Sequence, residues 1–109
     1  MVTVLKNNID KIKEACSHYG VQSLYVFGSA ARGNDFNKNS DIDFLVKFTP
    51  ITDKTNEQVF LRANNIIELQ FRLKTITKRN IDLLQEENIR NRFLKYFINK
   101  EKKLVYGVS

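Results

Sequence analysis

Apolar residues in the first part of the chain change from a helical to a strand-like spacing. Between Val4 and Tyr19 they recur at steps of three and four residues, which predicts one amphipathic helix that ends at Gly20. The run at 23–27 is rich in β-forming residues, and Gly28 follows it directly. We therefore predict a strand that leads into a tight turn.

The rest of the chain predicts two strands and two helices. Strands are predicted over residues 41–48 and 79–84, and a last helix over about residues 89–98. Thr55 begins a long helix, because Gln58 follows it at the spacing of a capping box. The positions assigned to the core faces of the two helices are Phe60, Ala63, Ile67 and Phe71, and Ile89, Phe93, Leu94, Phe97 and Ile98. The order α-β-β-α-β-α indicates an α+β fold, a mixed sheet with flanking helices.

Length and composition favour one ordinary soluble domain spanning residues 1–109. The longest unbroken apolar run, residues 24–27, is far too short to cross a membrane, and the first residues lack the apolar core of a secretory signal. Cys16 is the single cysteine, which excludes an intrachain disulfide. We therefore expect a cytoplasmic protein with no membrane partner.

Positive charge is concentrated near the end of the chain. Of a net charge of +6, residues 90–103 carry +5, from six basic residues and one acid, Glu101. A solvated helix face explains such a run, and so does contact with an acidic protein or a nucleic acid.

Two aspartates two residues apart are the most informative local feature. In a strand, Asp41 and Asp43 point to the same face about 7 Å apart, while Ile42 and Phe44 point into the core. Polar alternation in a half-exposed strand explains the pattern, but it gives no reason to set two anions side by side, where they repel. Mg²⁺ binds carboxylates, water and phosphate, and would turn that repulsion into attraction. The pair is therefore a candidate metal site.

A glycine and a serine lie at the predicted end of the first strand. Gly28 and Ser29 would open a helical turn whose free N–H groups suit a phosphate, and Arg32 would bring a planar cation to it. The alternative interpretation is a capped turn that Gly33 terminates. The segment is not a P-loop, because no Gly-Lys-Ser/Thr follows it.

A third carboxylate, Asp82, lies between Ile81 and Leu83 in the last predicted strand. It could complete a metal-binding trio or accept a proton from an attacking hydroxyl. An edge-strand acid in water explains its position equally well.

Together these motifs resemble a known signature. Gly28-Ser29, eleven residues, then Asp41-Ile42-Asp43 and an apolar strand is similar to the nucleotidyltransferase signature of the DNA polymerase β superfamily. More narrowly, it resembles the minimal nucleotidyltransferases (MNT). The resemblance implies a palm-like nucleotidyltransferase fold and two Mg²⁺ ions. On that basis Asp41 and Asp43 would be ligands shared by both ions, and Asp82 would bind the catalytic ion and aid deprotonation of the acceptor. The resemblance also implies a triphosphate held by Gly28 and Ser29 beside Arg32.

The MNT resemblance further implies a role. Members of this family are typically antitoxins that use ATP to attach AMP to a tyrosine of a HEPN-type RNase toxin. Two alternatives remain: an antitoxin that neutralises its toxin by binding alone, and a nucleotidyltransferase acting on a small molecule or a nucleic acid. A nucleic acid is the less favoured partner, because no recognisable RNA-binding module is present.

Overall fold

The computed structural model describes residues 1–107, in which helices and strands alternate around a single sheet. A short 3₁₀ turn covers Glu86–Asn88. The other elements are α1 Thr3–Asn7, α2 Ile9–His18, β1 Val21–Phe27, α3 Ser29–Arg32, β2 Ile42–Phe48, α4 Asn56–Thr77, β3 Ile81–Gln85, α5 Arg92–Glu101 and β4 Lys103–Gly107. None of the helices in residues 1–107 combines the length and the apolar composition that a membrane crossing requires.

The four strands form a mixed sheet in the order β3-β2-β1-β4, which confirms the predicted α+β fold. Strands β2 and β3 are parallel, whereas β1 is antiparallel to both of its neighbours, β2 and β4. The pattern of the sequence does not predict β4. Of its five residues only Val105 is buried, so the strand has little alternation to detect.

Helices α1, α2 and α4 cover one face of the sheet and form the main core with it. The predicted single helix over residues 4–19 is wrong in one respect, because it breaks at Asn8. The side-chain amide of Asn8 donates a 2.7 Å hydrogen bond to the carbonyl of Val4, and such a bond competes with the helical backbone pattern. Cys16 is fully buried in this core.

Helix α4 begins as predicted but turns a different face to the core. The Thr55 hydroxyl accepts a hydrogen bond from the N–H of Gln58. The predicted core residues Phe60 and Phe71 are each 72% exposed, and Ala63 and Ile67 are exposed as well. The residues that face the core are Leu69, Leu73 and Thr77. Because α4 carries apolar residues on both sides, their spacing alone does not reveal the buried side.

Helix α5 packs on the opposite face of the sheet, above a smaller apolar cluster. Ile98 packs there with Phe27 and Leu45. The helix begins at Arg92 rather than at Ile89, since the side chain of Asn91 accepts hydrogen bonds from the N–H groups of two following residues. Contrary to prediction, the other apolar side chains of α5 are exposed: Phe93, Leu94 and Phe97.

Candidate active site

Asp43 and Asp82 lie side by side on the α5 face of the sheet. They are register partners on the parallel strands β2 and β3. Asp43 is half-buried and Asp82 is exposed. Burial, followed by the charges of Asp82 and Asp41 and a hydrogen bond with Asp82, raises the pKa of Asp43 to about 6. The site therefore crowds carboxylates around one partly desolvated position.

Asp41 precedes β2 and is exposed, so it approaches the pair from the loop. Its charge, like that of Glu101, contributes to the raised pKa of Asp43. In residues 1–107, no group of three His, Cys, Asp or Glu side chains is placed to hold a metal ion as it stands. The donor set itself fits Mg²⁺, because carboxylate oxygens are hard ligands and a divalent cation would relieve their mutual repulsion.

Gly28 connects the end of β1 to this carboxylate cluster. Its φ of 69° lies in the region that favours glycine. The preceding residue, Phe27, is the register partner of Asp43, and a Cβ atom at position 28 would overlap Oδ2 of Asp43. Glycine is thus required here by the close approach of Asp43 to the backbone as well as by the turn.

The predicted phosphate ligands Gly28 and Arg32 both bind a carboxylate of the chain. The N–H of Gly28 donates to Oε1 of Glu101 over 2.9 Å, and Nη1 of Arg32 donates to Oε2 over 2.8 Å. Nη2 of Arg32 also donates to Asp35, and these hydrogen bonds, that to Asp35 first, raise the pKa of Arg32 further above its usual range. The two groups therefore already form a cradle for an oxyanion.

Ser29 is the first residue of α3 and is half-buried. The short helix ends at Gly33, whose φ is 92°, as the alternative interpretation predicts. That interpretation also makes Ser29 the N-cap, which is wrong, because the N-cap is Gly28 and no side chain caps the helix. Ser29 follows Gly28 directly, and so its hydroxyl is carried at the start of the same turn that binds Glu101.

Sequence reasoning missed two residues of the site, Glu101 and Arg79. Nη1 of Arg79 donates to the carbonyls of Asn37 and Ser40, at 2.7 and 3.1 Å, and its guanidinium lies 4.5 Å from the ring centre of Phe36. Arg79 thereby holds in place the loop that precedes Asp41. In the sequence, Glu101 is distinguished only as the one acid in the basic run at residues 90–103. No local sequence feature distinguishes Arg79.

A basic cleft of about 250 Å³ opens beside Asp41. Its positively charged lining residues are Lys38, Lys74, Lys78 and Arg79. The carboxylates thus lie between this cleft, on the β3 side, and the cradle of Gly28 and Arg32, on the β1 side.

Comparison with known proteins identifies the family of this site. The model of the polymerase beta nucleotidyltransferase family matches residues 10–109. The chain belongs to this family. A protein of Methanocaldococcus jannaschii named as a protein adenylyltransferase is 33% identical over 95 residues, which are 86% of this chain and 84% of that protein. This nucleotidyltransferase is therefore similar to its relative over most of both lengths.

Solved structures agree with the nucleotidyltransferase fold. A minimal nucleotidyltransferase matches with a TM-score of 0.70 at 23% identity, covering 91% of this chain and 90% of that one. A toxin–antitoxin complex with AMP-PNP matches with a TM-score of 0.68 at 23% identity, over 94% and 75% of the two chains. A tri-AMPylated Shewanella oneidensis HEPN toxin in complex with its MNT antitoxin matches with a TM-score of 0.62 at 20% identity, over 94% and 72%. At these identities the likeness concerns the fold.

Proposed function

We propose that this nucleotidyltransferase, a single domain over residues 1–109, transfers AMP from ATP to a tyrosine of a HEPN-type toxin and so acts as its antitoxin. The observation that carries the proposal is the half-buried Asp43, crowded by Asp41 and Asp82 beside an oxyanion cradle. The name of the Methanocaldococcus relative supports protein adenylylation. The AMP-PNP and HEPN complexes of similar fold support ATP as donor and a toxin as acceptor.

Asp41, Asp43 and Asp82 would hold Mg²⁺, and the resemblance to the nucleotidyltransferase family implies two ions. Bound Mg²⁺ would neutralise charge on the triphosphate and polarise the reacting phosphate. The raised pKa of Asp43 fits this role, since the repulsion behind it favours a bound cation over three free carboxylates. Small side-chain movements would bring the oxygens together, because Asp41 and Asp82 are exposed.

Gly28, Ser29 and Arg32 would bind the β- and γ-phosphates of ATP. The N–H of Gly28 and the guanidinium of Arg32 would exchange the Glu101 carboxylate for phosphate oxygens. A phosphate accepts the same charge-assisted hydrogen bonds with more charge, so the exchange is favourable. The hydroxyl of Ser29 would add a further donor.

The transfer step is a displacement at the α-phosphorus. The acceptor hydroxyl oxygen forms the new bond to that phosphorus, and the bond to the oxygen bridging the α- and β-phosphorus atoms breaks. Pyrophosphate leaves, and Asp82 receives the hydroxyl proton before passing it to water. Asp82 suits this task because it is exposed, next to Asp43, at the edge of the sheet.

Transfer of label from ATP to a protein tests the proposal. ATP carrying radioactive phosphorus at the α-position is added with Mg²⁺ to a lysate of the source cell and the purified protein. We expect one labelled protein band, whose modified residue is a tyrosine and whose toxicity to cells is lost with labelling. The double variant Asp41→Asn/Asp43→Asn should give no band.

The matched control is Asp10→Asn/Asp53→Asn, which removes two exposed aspartates outside the site. It should label the band like the wild type. If the Asp41→Asn/Asp43→Asn variant still neutralises the toxin, the protein acts by binding alone. A labelled RNA or small molecule in place of a protein would identify a different acceptor.

A further inference from the structure

Helix α5 has a single buried side chain, that of Ile98. Ile98 is 2% exposed, whereas Phe93 is 78% exposed and Tyr96 and Phe97 are each 60% exposed. The rings of Tyr96 and Phe97 lie edge to face, 5.5 Å apart between centres. We call Phe93, Tyr96 and Phe97 the α5 aromatic surface. Large aromatic side chains grouped in this way are typical of the centre of a protein interface.

The charges around the α5 aromatic surface are positive. Arg92 lines the same shallow depression as the three aromatic residues, and Nζ of Lys100 lies 6.0 Å from the ring centre of Tyr96. Glu101, the one acid among residues 90–103, accepts hydrogen bonds from Gly28 and Arg32 instead of facing outward. The surface therefore complements a partner that is apolar at its centre and acidic at its rim.

The same helix leads directly to the candidate active site. Phe97 precedes Glu101 by one helical turn, which is about 6 Å along the axis. Since Glu101 lies in the cradle of Gly28 and Arg32, a protein bound to the α5 aromatic surface would reach the edge of the carboxylate cluster. This position suits a partner that supplies the acceptor hydroxyl.

We infer that the α5 aromatic surface is the docking site for the acceptor protein, and that the acceptor presents an acidic, apolar patch to it. This inference rests on the proposed function for the role of the partner. A second copy of this chain is the poorer occupant, because it would bring the same positive charge to the contact. A nucleic acid, whose bases can stack on aromatic side chains, is the other occupant that the crosslinking experiment below distinguishes.

Site-specific photo-crosslinking tests the docking site independently of catalysis. A photoreactive benzophenone amino acid replaces Phe93 in one strain of the source cell and Phe71 in another. The control position is equally suitable, because Phe71 is 72% exposed but lies on α4. We expect crosslinking to one acidic protein from position 93 and none to that protein from position 71.

Binding of the purified crosslinked protein then measures the contribution of the surface. Phe93→Ser/Phe97→Ser should weaken binding at least about tenfold, whereas Phe60→Ser/Phe71→Ser, which also removes two exposed rings, should leave it unchanged. Added salt should weaken binding of the wild type. Retention of ATP binding by the first variant, with the KM for acceptor raised, would separate docking from misfolding.

The remaining outcomes distinguish failure of the docking site from failure of the proposed function. If the protein crosslinked from position 93 binds in this way but receives no AMP, the docking site stands and the proposed function fails. If an AMP-labelled acceptor exists but binds both double variants equally well, the function stands and the docking site is wrong. Crosslinks from position 93 to RNA, to a second copy of this chain, or to nothing overturn the docking site.

Discussion

At the scale of single residues, Asp43 holds a carboxylate where the metal-free fold disfavours its charge. Its folded pKa of about 6 exceeds the value of 3.8 expected for the unfolded chain. The ionised group therefore destabilises the fold fully above pH 6, and this effect disappears as the pH falls from 6 towards 3.8. Functional sites commonly retain such unfavourable groups because ligand binding uses them.

Asp43→Asn should accordingly stabilise the metal-free protein at pH 7.5, by about 1–3 kcal/mol. The amide removes the charge while keeping nearly the same shape. The gain should shrink as the pH is lowered towards 4. Chemical denaturation across this pH range, without divalent metal, measures it.

Addition of Mg²⁺ provides the internal control for that measurement. Mg²⁺ should stabilise the wild type and not the Asp43→Asn variant. The difference between their free energies of unfolding should therefore narrow or reverse. Asp10→Asn should change neither the pH dependence of the free energy of unfolding nor its response to Mg²⁺. A destabilised Asp43→Asn protein at pH 7.5 would show that the carboxylate is stabilised by its surroundings, contrary to the account.

If Gly28 and Arg32 bind the triphosphate as proposed, Glu101 competes with it for both donors. Glu101→Gln should then lower the KM for ATP by about threefold to tenfold. The variant loses the charge that holds Arg32 and the N–H of Gly28. Steady-state kinetics of AMP transfer at varied ATP give the value. A raised KM would mean that Glu101 assists nucleotide binding instead of competing with it.

The sequence pattern predicts Asp41, Asp43, Asp82, Gly28, Ser29 and Arg32 as site residues from local features, such as the two-residue spacing of the first pair and the apolar neighbours of Asp82. It missed Glu101, whose bond to Gly28 joins residues 73 positions apart. This hydrogen bond forms because β4 pairs with β1 and so places the end of α5 beside the end of β1. No local sequence pattern predicts that pairing.

At the scale of elements, the end of α4 has a residue that is poorly suited to its backbone. Lys78 adopts left-handed angles, φ 58° and ψ 32°, which glycine occupies at less cost. Lys78→Gly should therefore stabilise the protein by about 0.5–1 kcal/mol. Lys74→Gly, four residues earlier and inside the helix, should destabilise it by about 1 kcal/mol. Thermal unfolding compares the two, and a loss of stability in both would contradict the assignment of the helix end.

The loop before β2 is held by Arg79, so Arg79→Ala should reduce AMP transfer about tenfold through misplacement of Asp41. ATP binding at the cradle of Gly28 and Arg32 should change little. The control is Arg72→Ala, which removes an exposed arginine of α4 away from the site. Equal transfer rates for the two variants would show that Arg79 does not position the loop.

Helices α4 and α5 show why element faces were harder to predict than elements. Thr55 and Asn91 cap them through local hydrogen bonds. Their buried faces depend on which side meets the sheet, and each helix has apolar residues on more than one side. Phe93 and Phe97 were wrongly assigned to the core, because the apolar spacing of a helix marks an apolar face without showing whether that face meets the sheet.

In the whole molecule, the sheet brings motifs that are distant in the sequence to the same end of its strands. Parallel β2 and β3 begin at the same end as β1 finishes, so Asp43, Asp82 and Gly28 meet although the chain separates them. The family resemblance implies a mixed sheet that carries the carboxylates in this way. It did not indicate that Ile98 is the one buried side chain of α5, or that the aromatic side chains of this helix are exposed.

Two positions of the label in ATP distinguish transfer of AMP from transfer of the terminal phosphate. Purified protein, its purified acceptor and Mg²⁺ are incubated with ATP labelled at either the α- or the γ-phosphate. We expect labelled acceptor from α-labelled ATP only. Asp41→Asn/Asp43→Asn should abolish this labelling, and Asp10→Asn/Asp53→Asn should preserve it. Label transferred from the γ-phosphate, or no transfer to an acceptor that the wild type binds, would contradict the proposed transfer of AMP.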